Sequence, residues 1–285
     1  MGALIASMAG IALDSSRLRA RHLASGLEAL ETVDSTNRRA KELARAGVPH
    51  GFCVAALEQT AGRGRRDRSW HSPSGAGLYA SFILRPRLAP RDAPLLTLAA
   101  AVGLAEAARA LAPIDVRLKW PNDLLAGPSH GALALRKLGG ILIELAADAR
   151  TIEHAVVGIG LNLLDVARPT GLGPTATSIE ALSGQRLSPG EALAELASAL
   201  EVELDRLDPP GGAREIVSRW TERAAGLGER VTLESEGLAL TGVLLGIAAD
   251  GALELETEHG LQRIYAGDLV LPGAPRPFRG RLDPA

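Results

Sequence analysis

A chain of 285 residues, 46% of them apolar, has material for one large domain and a small one, and an aromatic content of 3% leaves its core to Ala, Leu, Val and Ile. A formal net charge of −2 and a pI near 6.3 argue against a general nucleic-acid binder. The single cysteine, Cys53, excludes an intrachain disulfide and a zinc site built on cysteines and fits a reducing, cytoplasmic setting, and no apolar run approaches the roughly 18 residues of a membrane helix.

The first 29 residues, rich in Ala, Leu and Arg, read as an N-terminal extension holding one or two helical turns. Residues 3–13 look like the apolar part of a secretion signal, but no basic segment precedes them and no convincing cleavage site follows. Asp34-Ser35 predicts the N-cap of a helix running through Arg45 and closed by Gly47. Gly51 to Glu58 reads as a strand, and Leu78 to Leu84 as a second with Leu78, Ala80, Phe82 and Leu84 on one face. A helix from Asp92, its expected cap, runs to Leu111 and is broken by Pro113. Val116 to Trp120, Leu138 to Leu145 and Ala155 to Leu163 are further strands; Glu191 to Leu207 is a long helix, and a shorter one follows Pro209-Pro210-Gly211-Gly212 to about Ala225. After Gly226 short strands recur at Arg230–Glu234, Leu240–Ile247, Ala252–Glu256 and Gln262–Tyr265, with turns at Asp250-Gly251 and His259-Gly260, which predicts a small barrel before a loose tail. The fold class is α+β, with domains at 30–226 and 227–272 and a tail at 273–285.

Chemistry concentrates in a few segments. Gln59-Thr60-Ala61-Gly62-Arg63-Gly64-Arg65-Arg66-Asp67-Arg68-Ser69-Trp70 combines glycines that let backbone fold tightly with guanidinium forks suited to carboxylate or phosphate. A solvated basic loop, or one touching nucleic-acid phosphate, fits the same residues. Lys119-Trp120-Pro121-Asn122-Asp123 ends a strand; Asn122 and Asp123 suit a magnesium ion or a ligand hydroxyl, or a plain strand-exit turn. Lys137-Leu138-Gly139-Gly140 opens a buried strand with a cation and two glycines that admit a close neighbour. Gly158-Ile159-Gly160-Leu161-Asn162 lacks the third glycine and the helix of a dinucleotide fingerprint. Ser35-Thr36-Asn37 either caps a helix or offers its N-terminus to a polar ligand. The histidines stand singly, without metal-ligand spacing, and no nucleophile–base pattern for hydrolysis is visible.

In their order along the chain, these segments from Leu30 to Leu271 closely resemble the biotin protein ligase family, the Gly-Arg-Gly-Arg-Arg-x-Arg-x-Trp and Lys-Trp-Pro-Asn-Asp pair being very specific. The resemblance implies a class II synthetase-like catalytic domain with a mixed sheet, followed by an SH3-like barrel. It also implies a two-step reaction: biotin's carboxylate attacks the α-phosphate of ATP to give biotinoyl-5′-AMP and pyrophosphate, and a lysine of a biotin carboxyl carrier domain, that of acetyl-CoA carboxylase or a related carboxylase, takes the acyl group. By the same resemblance Ser35, Thr36, Asn37, Gln59, Arg63, Gly64, Arg65, Lys137, Gly139 and Gly140 serve biotin, and Arg65, Arg66, Arg68, Trp70, Lys119, Asn122 and Asn162 serve ATP. Lys137 bridges the biotin carboxylate and the α-phosphate, and Asp123 holds Mg²⁺ and helps deprotonate the incoming lysine. Two loops, 61–75 and 164–176, are expected to close over the adenylate, the first being mobile without ligand.

Asp67 departs from the family, which usually has a small residue there, often glycine; it trims the loop's charge or pairs with an arginine. Residues 127–135 form an insertion, read as a surface elaboration. The DNA-binding domain of bifunctional members has no counterpart in the sequence, so ligation without repression, and no DNA or membrane partner, is expected; monomer and homodimer both stay open. A lipoate or octanoate ligase of the same superfamily is the nearest alternative, disfavoured by the arginine loop and the barrel. A nucleic-acid-binding module is disfavoured by the acidic barrel, and a purely regulatory biotin sensor by the missing DNA-binding domain.

Overall fold

The computed structural model describes residues 11–127, 135–169, 172, 175–235 and 238–273. Most of the expected insertion, the tail beyond residue 273, the first ten residues and four positions of the second closing loop (170, 171, 173 and 174) therefore lie outside the described residues.

Seven strands form one mixed sheet in the order β1-β2-β3-β7-β6-β5-β4. β1 (Leu27–Val33) leads through α1 (Thr36–Arg45) to β2 (Cys53–Gln59), which lies parallel to it; every other pairing is antiparallel. β3 (Gly77–Leu84) is buried along its whole length and shows why its alternation mattered. Leu78, Ala80, Phe82 and Leu84 enter the large core, and Ile83 on the opposite face joins Ala40, Ala44, Val54 and Val156 under α1. The large core is closed by α2 (Ala93–Leu111) and α4 (Pro189–Asp205), which pack on each other. By length and composition the helical stretch Pro90–Leu111 could cross a membrane, contrary to the sequence expectation, but 72% of its apolar window is buried inside the protein, as befits a core helix.

β4 (Asp115–Lys119) and β5 (Asp123–Gly127) form a hairpin, with Lys119 paired to Asp123, so the Lys-Trp-Pro-Asn-Asp run is a hairpin turn and not a strand exit. The turn contains a cis Trp120–Pro121 peptide. β6 (Arg136–Ala147) and β7 (Ile152–Asn162) complete the sheet, and α3 (Ile179–Ser183) and α5 (Gly212–Thr221) follow on either side of α4. β8 (Arg230–Ser235), β9 (Leu238–Ile247), β10 (Leu253–Thr257), β11 (Gly260–Ile264) and β12 (Asp268–Val270) make a separate antiparallel sheet, order β11-β10-β9-β8-β12.

Three expectations change. Residues 11–26 contain no helix; they run along α4, where the Glu201 carboxylate accepts from the amides of Arg21, His22 and Leu23 at 2.6–2.7 Å. Such a segment satisfies its backbone from a side chain instead of from itself. Asp92 occupies the cap position of α2 without a capping hydrogen bond, because a 3-10 turn at Pro90–Asp92 already leads into the helix. Ser35 likewise caps α1 without its hydroxyl: the first amide, Thr36 N, donates instead to the Gln59 side-chain oxygen at 2.9 Å.

Candidate active site

The sheet is concave where the end of β2, the start of α1, the β4–β5 turn and the glycine-bearing parts of β6 and β7 meet, and this hollow holds a cavity of about 200 Å³. It brings together most of the residues singled out in the sequence: Ser35, Thr36, Asn37 and Gln59 at one end, Arg63, Gly64, Arg65, Arg68 and Trp70 from the loop, and Lys119, Asn122, Asp123, Lys137, Gly140 and Asn162 at the other end. Two do not line it. Gly139 faces the interior, where a Cβ would stand 2.9 Å from the Gly160 carbonyl and 3.4 Å from Leu104. Arg66 points outward to Asp268 and Ser235 of the C-terminal sheet.

The polar floor is locked by the protein's own hydrogen bonds. Asn37 receives a bond from Ser81 Oγ at 2.7 Å on its oxygen and donates from its nitrogen to the Leu142 carbonyl and to Glu144. Its polar atoms are thereby engaged, and Ser81 Oγ, also 2.8 Å from Thr36 Oγ1, links it to Thr36. Gly158 exists for the same reason: a Cβ there would lie 1.9 Å from Asn37 Oδ1. Gln59 accepts from Thr36 and donates to Ser72 Oγ at 2.9 Å.

At the opposite end Asp123 stands between two ammonium groups, Lys137 Nζ at 2.6 Å and Lys119 Nζ at 3.1 Å. Burial would raise the Asp123 pKa, but the two lysines and their hydrogen bonds more than offset this and hold the carboxyl well below the usual range. A carboxylate so firmly kept as the anion is a poor proton acceptor, and both its oxygens are engaged. Asp123 therefore does not suit the role of base expected of it; its two oxygens pair with Lys137 and Lys119. No group of three or more His, Cys, Asp or Glu able to hold a metal occurs among the described residues. Lys137 also lies over the Trp70 ring, 5.2 Å from its centroid. The indole packs so tightly on β7 that a Cβ at Gly160 would come within 2.5 Å of it. Asn122 donates to the Ile141 carbonyl at 2.7 Å and accepts from Arg65 Nη1 at 3.3 Å, so it steadies an arginine. Asn162 donates to the Thr177 carbonyl at 2.8 Å and ties β7 to the segment that covers the cavity.

The arginine loop is a tight reversal: Gly64 N donates to the Arg68 carbonyl at 2.7 Å and Trp70 N to the Gly62 carbonyl at 2.8 Å. Gly62 is the glycine that sterics demand, since a Cβ would meet the Trp70 carbonyl at 2.5 Å. Arg66 and Asp67 turn the chain with φ of +53° and +56°, the left-handed region that glycine enters freely and aspartate tolerates better than most. Asp67 forms no ion pair among the described residues. The loop expected to be mobile without ligand makes ion pairs on two sides, by Arg63 to Glu144 (3.2 Å), itself bound to Lys41 (2.8 Å), and by three arginines to Asp268. Of the second loop, Arg168, Leu172, Thr175 and Ala176 line the cavity. Sequence reasoning missed Glu144, Asp268 and the wall formed by Leu269, Val270 and Leu271. A carboxylate in a strand or an apolar triplet ending a small sheet carries no local mark of a site; only the glycine-rich and basic runs do.

Residues 29–162 match the family model described as the biotin/lipoate A/B protein ligase family, and residues 226–271 match the biotin protein ligase C terminal domain. The chain is 34% identical over 243 residues to the bifunctional ligase/repressor BirA of Bacillus spizizenii, covering 85% of this chain and 72% of that one. It is 34% identical over 249 residues to the biotin–[acetyl-CoA-carboxylase] ligase of Paracoccus denitrificans, covering 86% of this chain and all of the relative. Among solved structures, the biotin protein ligase from Aquifex aeolicus in complex with biotin and ATP superposes with a TM-score of 0.72 at 30% identity, covering 86% of this chain and 97% of that one. The likeness thus holds in sequence and in shape, and the chain belongs to the biotin protein ligase family.

Proposed function

We infer that this chain joins biotin to a lysine of a carrier protein by way of biotinyl-5′-AMP made from ATP. The observation that carries the reading is the convergence of Lys119, Lys137, Arg65 and Arg68 on one cavity whose far end is apolar and hydrogen-bonding. Bringing a carboxylate to the α-phosphate of a triphosphate sets two anions against each other, and fixed cations lower that cost while stabilising charge developing on phosphorus. In this reading the bicyclic end of biotin lies by Ser35, Thr36 and Gln59, with Asn37 bracing them. Its carboxylate oxygen, next to Lys137, forms a bond to the α-phosphorus as the bond to pyrophosphate breaks. Then the amine of a carrier lysine attacks the acyl carbon and AMP leaves with the bonding pair. Magnesium would come with the nucleotide and would offset the charge of its phosphates. We assign the carrier to the biotin carboxyl carrier domain of acetyl-CoA carboxylase or a related carboxylase. The test is pyrophosphate release from ATP with biotin, lipoate or octanoate offered separately, followed by transfer to a purified carrier domain. Release with biotin alone is expected; release with lipoate or octanoate in its place would move the substrate, and no release with any acid would remove the enzymatic reading.

A further inference from the structure

The cations of this chain are divided very unevenly. Its 285 residues hold 28 arginines and three lysines, Lys41, Lys119 and Lys137. Composition alone would scatter so few lysines anywhere, whereas the fold gathers them around the cavity and ties each to a carboxylate. Lys137 and Lys119 share Asp123, at 2.6 and 3.1 Å. Lys41 Nζ meets Glu144 at 2.8 Å, the same carboxylate that accepts from Asn37 at the biotin end. None of the three side chains is more than 33% exposed. The remaining positive charge is guanidinium even at the rim. Arg136, between Leu135 and Lys137 of the cavity lining, is exposed and forms no ion pair among the described residues.

That division matters in a protein that makes a mixed anhydride. An acyl phosphate reacts with an amine that has a free lone pair. A carbon–nitrogen bond forms, the bond to the AMP oxygen breaks, AMP leaves with the pair and the amine's proton passes to water. A guanidinium never loses its proton in a protein and is no such nucleophile. An ordinary exposed lysine, with a pKa near 10.4, is a free amine in about one molecule in a thousand at pH 7.4. That fraction suffices where the anhydride escapes beside it and meets it at high effective concentration. An ammonium that donates its protons to a carboxylate is held in the unreactive form. We propose that this chain is built to withstand the acyl adenylate it makes: each lysine is masked by a carboxylate and exposed positive charge is arginine, so the acyl group leaves only for the carrier lysine or for water. Asp123 thereby has a protective task, since Lys137 and Lys119 line the cavity in which the anhydride forms.

This inference rests on reading the cavity as an adenylation site. The full chain is incubated without carrier, once with biotin and ATP and once with synthetic biotinoyl-5′-AMP, and biotin is mapped by peptide mass spectrometry. Arg136→Lys should release pyrophosphate at the wild-type rate yet carry at least ~10-fold more biotin at position 136 than the wild type carries on its three lysines together. Asp123→Asn, given the synthetic adenylate so that its own adenylation rate is irrelevant, should gain roughly tenfold in label on Lys119 or Lys137. Wild-type label on any lysine equal to that at position 136 would overturn the proposal, because pairing would then mask nothing. An Arg136→Lys chain as bare as the wild type with both reagents would also overturn it, leaving the scarcity of lysine a matter of composition. So would a folded Asp123→Asn chain without added label; if that variant does not fold, position 136 decides. A wild type that releases no pyrophosphate with biotin would sink the functional reading, and the synthetic adenylate would still report whether the lysines are masked.

Discussion

At the scale of single residues the site separates groups that touch a ligand from groups that aim them, and substitution should reveal the division. Lys137→Ala removes the cation beside the reacting carboxylate and should lower biotin-dependent pyrophosphate release by at least ~100-fold with little change in melting temperature, since Asp123 keeps Lys119 as its partner. Retention of more than a tenth of the activity would remove Lys137 from the reaction. The glycines make a sharper pair. A methyl at Gly158 would collide with Asn37 Oδ1, which Ser81 holds in place, so Gly158→Ala should cost about 1–3 kcal/mol of stability. A methyl at Gly140 meets the flexible end of Lys137, at 3.2 Å from Cε, and no more than ordinary contact with the edge of Trp70, at 3.4 Å, so Gly140→Ala should fold normally yet lose activity by moving that ammonium. Thermal melts beside rate measurements on the two variants would show the crossover, and equal losses of stability would contradict it. The chemistry of Lys137, Arg65 and Trp70 was legible in the sequence because cations and glycines cluster there. That Asn37, Asn122 and Asp123 pair within the protein was not, because it depends on which partners already occupy their atoms.

At the scale of elements, amphipathic and alternating patterns marked β3, α2 and α4, whose side chains reach one shared core. β1 and β5 left weaker marks: β1 is polar at Glu28 and Glu31, and β5 follows a turn so short that turn and strand merge in the sequence. The stretch before β1 was read as helical from its composition, yet its backbone is held by Glu201 of α4, about 180 positions later, a contact no local pattern encodes. Burial opposes ionisation of this carboxylate, but the three amides outweigh it and its pKa falls below the ordinary value. A group depressed in the folded state adds stability that is present above its unfolded value and is lost as pH falls through the folded one. Glu201→Gln should therefore cost about 1–3 kcal/mol near neutrality, and the gap from the wild type should narrow as pH drops below 4.5. Thermal melts between pH 3.5 and 7 would check this; a gap independent of pH would show that the charge of Glu201 contributes nothing.

At the scale of the whole molecule the question is whether the C-terminal sheet is a separate body or a wall of the site, and the contacts favour the wall. One continuous core contains Leu95 and Leu98 of α2 together with Val231, Leu233, Leu244 and Leu253 of the C-terminal strands. The segment that leads into the C-terminal sheet is itself tied to β4, Leu118 N donating to the Arg223 carbonyl and Ala225 N to the Leu118 carbonyl, both at 2.8 Å. Gly251, at φ +88° in the β9–β10 turn, sits so close to Pro94 that a Cβ would be 2.9 Å away, which fixes the turn against the start of α2. Halves that share a core and a cavity wall should melt together, whereas domains joined by a linker melt apart. Calorimetry should therefore give one transition whose van't Hoff and calorimetric enthalpies agree. Biotin and ATP, each at a hundred times its dissociation constant, should raise that transition as a unit, each adding about 2.7 kcal/mol if they bind independently. Gly251→Val, strained in backbone and pressed onto Pro94, should lower the same transition. Two transitions in the wild type, only one of them moved by ligand, would make the C-terminal sheet a separate body, and the arginine loop would then have to find its place without it.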